Sequence, residues 1–151
     1  MAVKLAAGAD HAGFALKQAL VSRLRAAGHE VADLGTSSAE SVDYPAFAHA
    51  VAAQVVAGEV ERGLLVCGSG IGMCMAANRH PGVRAADCVT VEMAELARRH
   101  NDANVLCLGA RLLGDDEAWA VVEAWLATPF EGGRHERRVT EIDDLAAQSD
   151  A

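Results

Sequence analysis

Leu64-Leu65-Val66-Cys67-Gly68-Ser69-Gly70-Ile71-Gly72-Met73 is an apolar run that breaks into three glycines spaced two apart and then resumes with helical character. The pattern predicts a strand, a tight loop and a helix. Gly68, Gly70 and Gly72 remove Cβ from alternate residues, so the backbone N–H groups of this stretch, those of Ser69 and Ile71 among them, can close around an anion where the helix begins. Cys67 ends the strand and is expected to face the crevice in which open α/β sheets bind ligands. Better-known glycine loops fit poorly. A dinucleotide fingerprint needs glycine where Met73 stands, and a P-loop needs a closing Gly-Lys-Ser/Thr that is absent. A cysteine phosphatase loop needs arginine six residues after its cysteine, where this chain has Met73 after Cys67 and His80 after Cys74.

With 151 residues, 52% hydrophobic and 23% charged, the chain predicts a single domain over residues 1–151 with an ordinary core. Its formal charge of −8 argues against nucleic acid or an anionic membrane as partner, since no basic excess neutralises a polyanion. Cys67, Cys74, Cys88 and Cys107 show no C-x-x-C spacing and mostly occupy apolar runs, which fits neither a zinc ribbon nor a disulfide framework. A reducing, cytoplasmic setting is expected. The amino-terminal residues run straight into a strand-like segment with no long apolar stretch, so neither export nor a membrane span is expected.

In chain order, Val3 to Ala7 predicts a buried strand, and Gly8 to Gly13 leads into a helix carrying Phe14, Leu16, Leu20, Val21 and Leu24 inward. Asp10 and His11 fall at that strand's carboxyl end, where Asp10 either caps the helix or serves a ligand. Strands are expected at Glu30 to Leu34, Gly63 to Cys67, Val83 to Val89 and Val105 to Leu108. Helices are expected at Ala46 to Ala57, Met73 to Asn78, Thr90 to Arg99 and Asp115 to Ala127. Tyr44, beside Pro45, either bonds a ligand or packs on its loop. His100, at a helix end, is by itself a solvated cap, and Arg111 follows the fifth strand. Trp119, Val122 and Trp125 read as core or interface. Three arginines crowd residues 134–138 of an otherwise acidic chain, and the tail to Ala151 predicts one amphipathic helix with Val139, Ile142 and Leu145 on a docking stripe.

Strands alternating with helices predict an α/β, three-layer Rossmann-like sandwich with a five-stranded parallel sheet and a C-terminal helical tail. This reading places Asp10, His11, Cys67, Ser69, His100 and Arg111 together at the carboxyl ends of the strands. A thiol, a carboxylate, two imidazoles, a glycine nest and an arginine suit proton transfer on an anionic substrate without a metal or redox cofactor.

The stretches Gly8-Ala9-Asp10-His11-Ala12-Gly13, Asp43-Tyr44-Pro45, Cys67 to Gly72, Arg99-His100-Asn101-Asp102-Ala103-Asn104-Val105, Leu108-Gly109-Ala110-Arg111 and Gly132-Gly133-Arg134-His135 resemble, in this order, the ribose-5-phosphate isomerase B and galactose-6-phosphate isomerase family. The resemblance extends to about residue 145. It implies cofactor-free aldose–ketose isomerisation of a sugar phosphate through an enediolate, with ribose 5-phosphate and ribulose 5-phosphate as the expected pair. By position it implies Cys67 as the base, His100 with Asp10 for ring opening, and Ser69 with the amides of Gly68, Gly70, Ile71 and Gly72 at the enediolate. Asn101 and Tyr44 then hold hydroxyls, and His11, Arg111, Arg134 and Arg138 hold the phosphate. The tail, about residues 130–151, is expected to reach a partner subunit of a homodimer or dimer of dimers with shared active sites. Some relatives carry glutamate where this chain has Met73, which cannot accept a proton, so the base falls to Cys67.

Chemistry supports these assignments independently. An ordinary thiol titrates at about 8.5, so N–H donors and cations help it act as a base. A preorganised amide nest stabilises enediolate charge better than water does. Isomerisation of an allose, galactose or tetrose phosphate is the nearest alternative. A sugar-phosphate-binding module would need neither Cys67 nor His100, and a redox-sensing thiol would need Cys74 to resolve Cys67.

Overall fold

The computed structural model describes residues 1–146. Five parallel strands, β1 (Lys4–Ala9), β2 (Glu30–Asp33), β3 (Arg62–Cys67), β4 (Ala85–Asp87) and β5 (Val105–Gly109), form one sheet in the order β2-β1-β3-β5-β4. Six helices accompany them: α1 (Phe14–Ala26), α2 (Tyr44–Val56), α3 (Ile71–Ala77), α4 (Val91–Asn101), α5 (Asp115–Ala127) and α6 (Arg134–Glu141). Because every crossover carries a helix, both faces of the sheet are covered and the central strands read as continuous apolar runs. Strands β1, β3 and β5 are buried along nearly their whole lengths.

Two cores result. On one face Leu5, Leu64, Val66, Leu106 and Leu108 pack with Leu16, Leu20 and Leu24 of α1, Ala94 and Ala97 of α4, and Val121, Val122 and Trp125 of α5. On the other, Leu65, Cys67, Val105 and Cys107 pack with Ala48, Val51 and Ala52 of α2 and Met73 and Ala77 of α3. Phe14, expected to point inward, is only half-buried and lies 5.6 Å from the Nζ of Lys17. Lys17 itself is buried, its ammonium donating to Asp33 Oδ1 (2.5 Å) and to the Thr36 carbonyl (2.7 Å). That pairing compensates the charge and ties the loop after β2 to α1.

The expected elements form, with three informative differences. The fourth strand is only Ala85–Asp87, because Val83 closes a turn onto His80 and the Arg84 N–H donates to the Asn104 side chain instead of a neighbouring strand. Helix α4 runs through His100 and Asn101 before Asp102, at φ 49°, ends it. The tail is not one continuous helix over the described residues. Helix α6 stops at Glu141, and Asp143 turns back so that its carboxylate accepts the Gly82 N–H (2.8 Å). The rest of that expectation, residues 147–151, lies outside the described residues.

Candidate active site

Strand order reverses direction between β1 and β3, and ligands of open parallel sheets bind at the carboxyl ends of such a switch point. Asp10 and Cys67 follow or end those two strands, and the Asp10 N–H donates to the Val66 carbonyl (3.3 Å). Cys67 is 5% exposed, and its Sγ accepts the Gly70 N–H at 3.1 Å. Gly70 holds φ 81°, a left-handed conformation that glycine adopts without strain. The Ile71 N–H turns to Ser69 Oγ (3.3 Å), so the loop folds tightly over the thiol before α3 begins.

The glycines are also places of close approach. A Cβ on Gly68 would sit 3.2 Å from the Arg111 guanidinium, and one on Gly72 would sit 2.6 Å from the Tyr44 ring. Arg111 therefore lies against the loop from the β5 side, and Tyr44 covers it from the start of α2. The Arg111 N–H donates to the Gly68 carbonyl (3.0 Å), and the Ala110 N–H to that of Cys67 (2.8 Å), which joins the loop to the end of β5. Asp10 Oδ1 accepts the N–H of Gly13 (3.0 Å), the residue that precedes α1, and so holds the turn between β1 and α1 without bonding a helical N–H. The His11 Nδ1 faces the Val42 backbone, 3.2 Å from its N–H and 3.3 Å from its carbonyl, and so fastens the polar loop ahead of α2.

His100 and Asn101 do not join this group within the chain, which corrects the expectation that all these residues share one edge. Cys67 is level with Gly109, whereas the opposite end of the same strand pair brings Gly63 level with Val105. Helix α4 returns from the carboxyl edge and ends just before Val105, so its last residues lie at the amino edge. The length of β5, about 13 Å, separates the two edges. Arg134 and Arg138 travel with His100. The Glu131 N–H donates to the Arg99 carbonyl (3.1 Å), and the His135 ring stacks on His100 with centroids 4.3 Å apart. The candidate residues thus fall into two groups: Asp10, His11, Tyr44, Cys67 to Gly72 and Arg111 at one edge, and His100, Asn101, Arg134 and Arg138 at the other.

Cys74, Cys88 and Cys107 are the other thiols of the chain. Burial pushes Cys88 up to about 12. A hydrogen bond with Cys74, together with complete burial, pushes Cys107 well above the ordinary thiol range and draws Cys74 below it. Burial also lowers His135, reinforced by the nearby His100 and Arg134. Two contributors went unassigned from sequence. Asp87 presses a carboxylate oxygen on Gly70, and a Cβ on Gly109 would lie 2.7 Å from the Ser69 backbone. The only signals for them were a lone acid in an apolar run and a glycine at a strand end.

Residues 5–142 match the family model described as Ribose/Galactose Isomerase. The ribose-5-phosphate isomerase B of Escherichia coli is 48% identical over 139 residues, covering 92% of this chain and 93% of that protein. The ribose 5-phosphate isomerase of Thermotoga maritima superposes with a TM-score of 0.93 at 50% identity, covering 95% of this chain and 99% of that one. The Mycoplasma genitalium ribose-5-phosphate isomerase B with bound ribulose 5-phosphate gives a TM-score of 0.90 at 40% identity, covering 96% and 97%. From the thiol under its glycine loop to the fold around it, the chain belongs to the ribose/galactose isomerase family.

Proposed function

We propose that this chain is an aldose–ketose isomerase that interconverts ribose 5-phosphate and ribulose 5-phosphate through an enediolate. The observation that carries the reading is the Cys67 thiol at the switch point, accepting the Gly70 N–H within a glycine loop that Arg111 packs against at Gly68, with Asp10 bonded to the neighbouring Val66 carbonyl. Relatives named as ribose-5-phosphate isomerases supply the substrate. In this reading Cys67 takes the proton from C2 of the aldose and returns it to C1. Ser69 and the amides from Gly68 to Gly72 stabilise the charge on the enediolate oxygens. Met73 is fully buried in the core and offers no competing base.

The complete site requires two copies of the chain. Ring opening pairs Asp10 with His100, and the phosphate site pairs His11 and Arg111 with Arg134 and Arg138, yet each pair is divided between opposite edges of the sheet. A second copy presenting its His100 edge to the Cys67 edge of the first reunites both pairs, in a homodimer or a dimer of dimers. Asn101 and Tyr44 then hold substrate hydroxyls from the two sides. All four cysteines are free, which suits a reducing cytoplasm, and among the described residues no helix is long and apolar enough to cross a membrane.

Cys67→Ser tests the base. It nearly preserves volume while replacing the thiol with a hydroxyl that hardly ionises near neutrality. The expected outcome is an unchanged melting temperature and retained binding of a phosphorylated sugar-acid inhibitor. Deuterium exchange at C2 of ribose 5-phosphate should fall by about 10²–10⁴. Exchange at the parental rate would transfer the role away from Cys67. Assays over pentose, hexose and tetrose phosphates should give the highest kcat/KM for ribose 5-phosphate, and another preferred sugar would overturn the substrate assignment alone.

A further inference from the structure

His100, Glu131 and His135 converge beside the end of α4 in a way that isomerisation does not require. The two imidazoles stack at 4.3 Å with 13° between their planes. Both Nε2 atoms approach the same carboxylate oxygen, Glu131 Oε1, at 3.9 Å from His100 and 3.5 Å from His135. One ligand atom from each residue lies within 4.8 Å of the others. The frame around them is well tied. The Glu131 N–H is bonded to the Arg99 carbonyl (3.1 Å), the Arg98 Nε to the Thr128 carbonyl (3.1 Å), and the His135 N–H to the Gly132 carbonyl (3.1 Å).

Two imidazoles and a carboxylate are borderline donors suited to zinc and its neighbours, and poor donors for magnesium or calcium. A tetrahedral ion held at 2.0–2.1 Å sets ligand–ligand edges of about 3.4 Å. The edge from His135 to Glu131 already matches, the edge from His100 to Glu131 is longer by about 0.5 Å, and the edge between the histidines closes when the partly exposed His100 ring turns. Glu131 is half exposed in the single chain, on the edge that the proposed dimer presents to the Cys67 edge of a second copy. Arg134 and Arg138 on α6 oppose a dication. Arg99, on the last turn of α4, is paired with Glu95. Their charge favours reversible occupancy over a permanent structural centre.

We propose that His100, Glu131 and His135 form a site for a divalent transition-metal ion of the zinc class, and that occupancy inhibits the enzyme by engaging the His100 imidazole. The inhibitory consequence rests on the proposed ring-opening role of His100; the binding does not.

Calorimetric titration of the full chain with Zn²⁺ alone, alongside isomerase assays, tests both parts. One ion per chain is expected, with matching loss of activity on ribose 5-phosphate. Glu131→Gln and His135→Asn should each weaken binding and inhibition by at least the roughly 10–100-fold that loss of an outer-shell partner costs a metal site. Glu131→Gln lies on the surface and guards against a folding defect in the buried His135→Asn. Cys67→Ser should bind Zn²⁺ like the parent, and so should His49→Asn, which removes the other close imidazole pair, 2.7 Å from His80. No binding by the parent, or binding and inhibition unchanged in Glu131→Gln and His135→Asn, would overturn the site. Binding that weakens in both Glu131→Gln and His135→Asn but leaves the parent's activity intact upholds the site and overturns its inhibitory consequence.

Discussion

Asp87 ends the edge strand with one carboxylate oxygen, Oδ1, buried and without a hydrogen-bond partner among the described residues. A Cβ on Gly70 would lie 2.3 Å from that oxygen, so the carboxyl group fills the space directly beneath the glycine loop. Burial raises the Asp87 pKa. A carboxyl whose folded pKa exceeds its unfolded one binds its proton more tightly when folded. Its contribution is fully present below the unfolded value and is lost as pH rises through the folded value. Asp87→Asn should therefore stabilise the protein at neutral pH and bring little gain in acid. Allowing for solvent screening on the exposed side of the residue, the gain is about 1 kcal/mol, or about 2–4 °C in melting temperature. Melting curves at pH 3 and pH 7.5 check this, and an equal shift at both would assign the effect to packing.

The ends of β1, β3, β4 and β5 and the start of α2 meet around the glycine loop, so the spacing between these elements matters as much as the side chains. Gly109 shows this most directly. It ends β5 level with Cys67, and the glycine loop crosses over it so closely that an added Cβ would meet the Ser69 carbonyl carbon and oxygen at 2.7 Å. Backbone cannot swing aside as a flexible side chain can. Gly109→Ala should therefore lift the loop from β5, disturb the N–H groups around Cys67 and cost about 10²-fold in kcat. Overpacking should also lower stability by about 1–3 kcal/mol. Gly114→Ala serves as control, because a Cβ there meets only Glu117 Oε1 at 3.5 Å. Comparable kcat in the two variants would show that the loop tolerates displacement.

Across the whole molecule, the division of candidate residues between the two sheet edges makes a prediction about mixed oligomers. If His100 and Arg138 serve the Cys67 site of a second copy, inactive Cys67→Ala and inactive His100→Asn complement each other. Half of a random dimer population is hybrid, and one of its two sites has both halves intact, so activity should recover to about a quarter of the parental value. Mixing His100→Asn with Arg138→Ala should restore nothing, because every hybrid site then carries one damaged residue from the same edge. Recovery in the second mixture after verified subunit exchange would separate His100 and Arg138, against their adjacency through His135 and Glu131.

By itself the sequence determined the strand and helix order, the parallel sheet and the glycine loop after Cys67. Each of these is written in local periodicity, in glycine spacing or in the residues next to a helix start. The α5 boundaries, Asp115–Ala127, were legible to the residue. Only the tertiary structure decided which edge each helix end reaches. Cys67 and His100 both lie at the carboxyl ends of regular elements, β3 and α4, but a strand and the helix that returns to the next strand run in opposite directions, so their ends lie on opposite sides of the sheet. Asp87 under Gly70, Gly109 under Ser69 and the grouping of His100 with Glu131 and His135 were likewise invisible in sequence. Each depends on which chain segments approach across the sheet or between helices, and residues 17 to 40 positions apart in the chain leave no periodic signal of that approach.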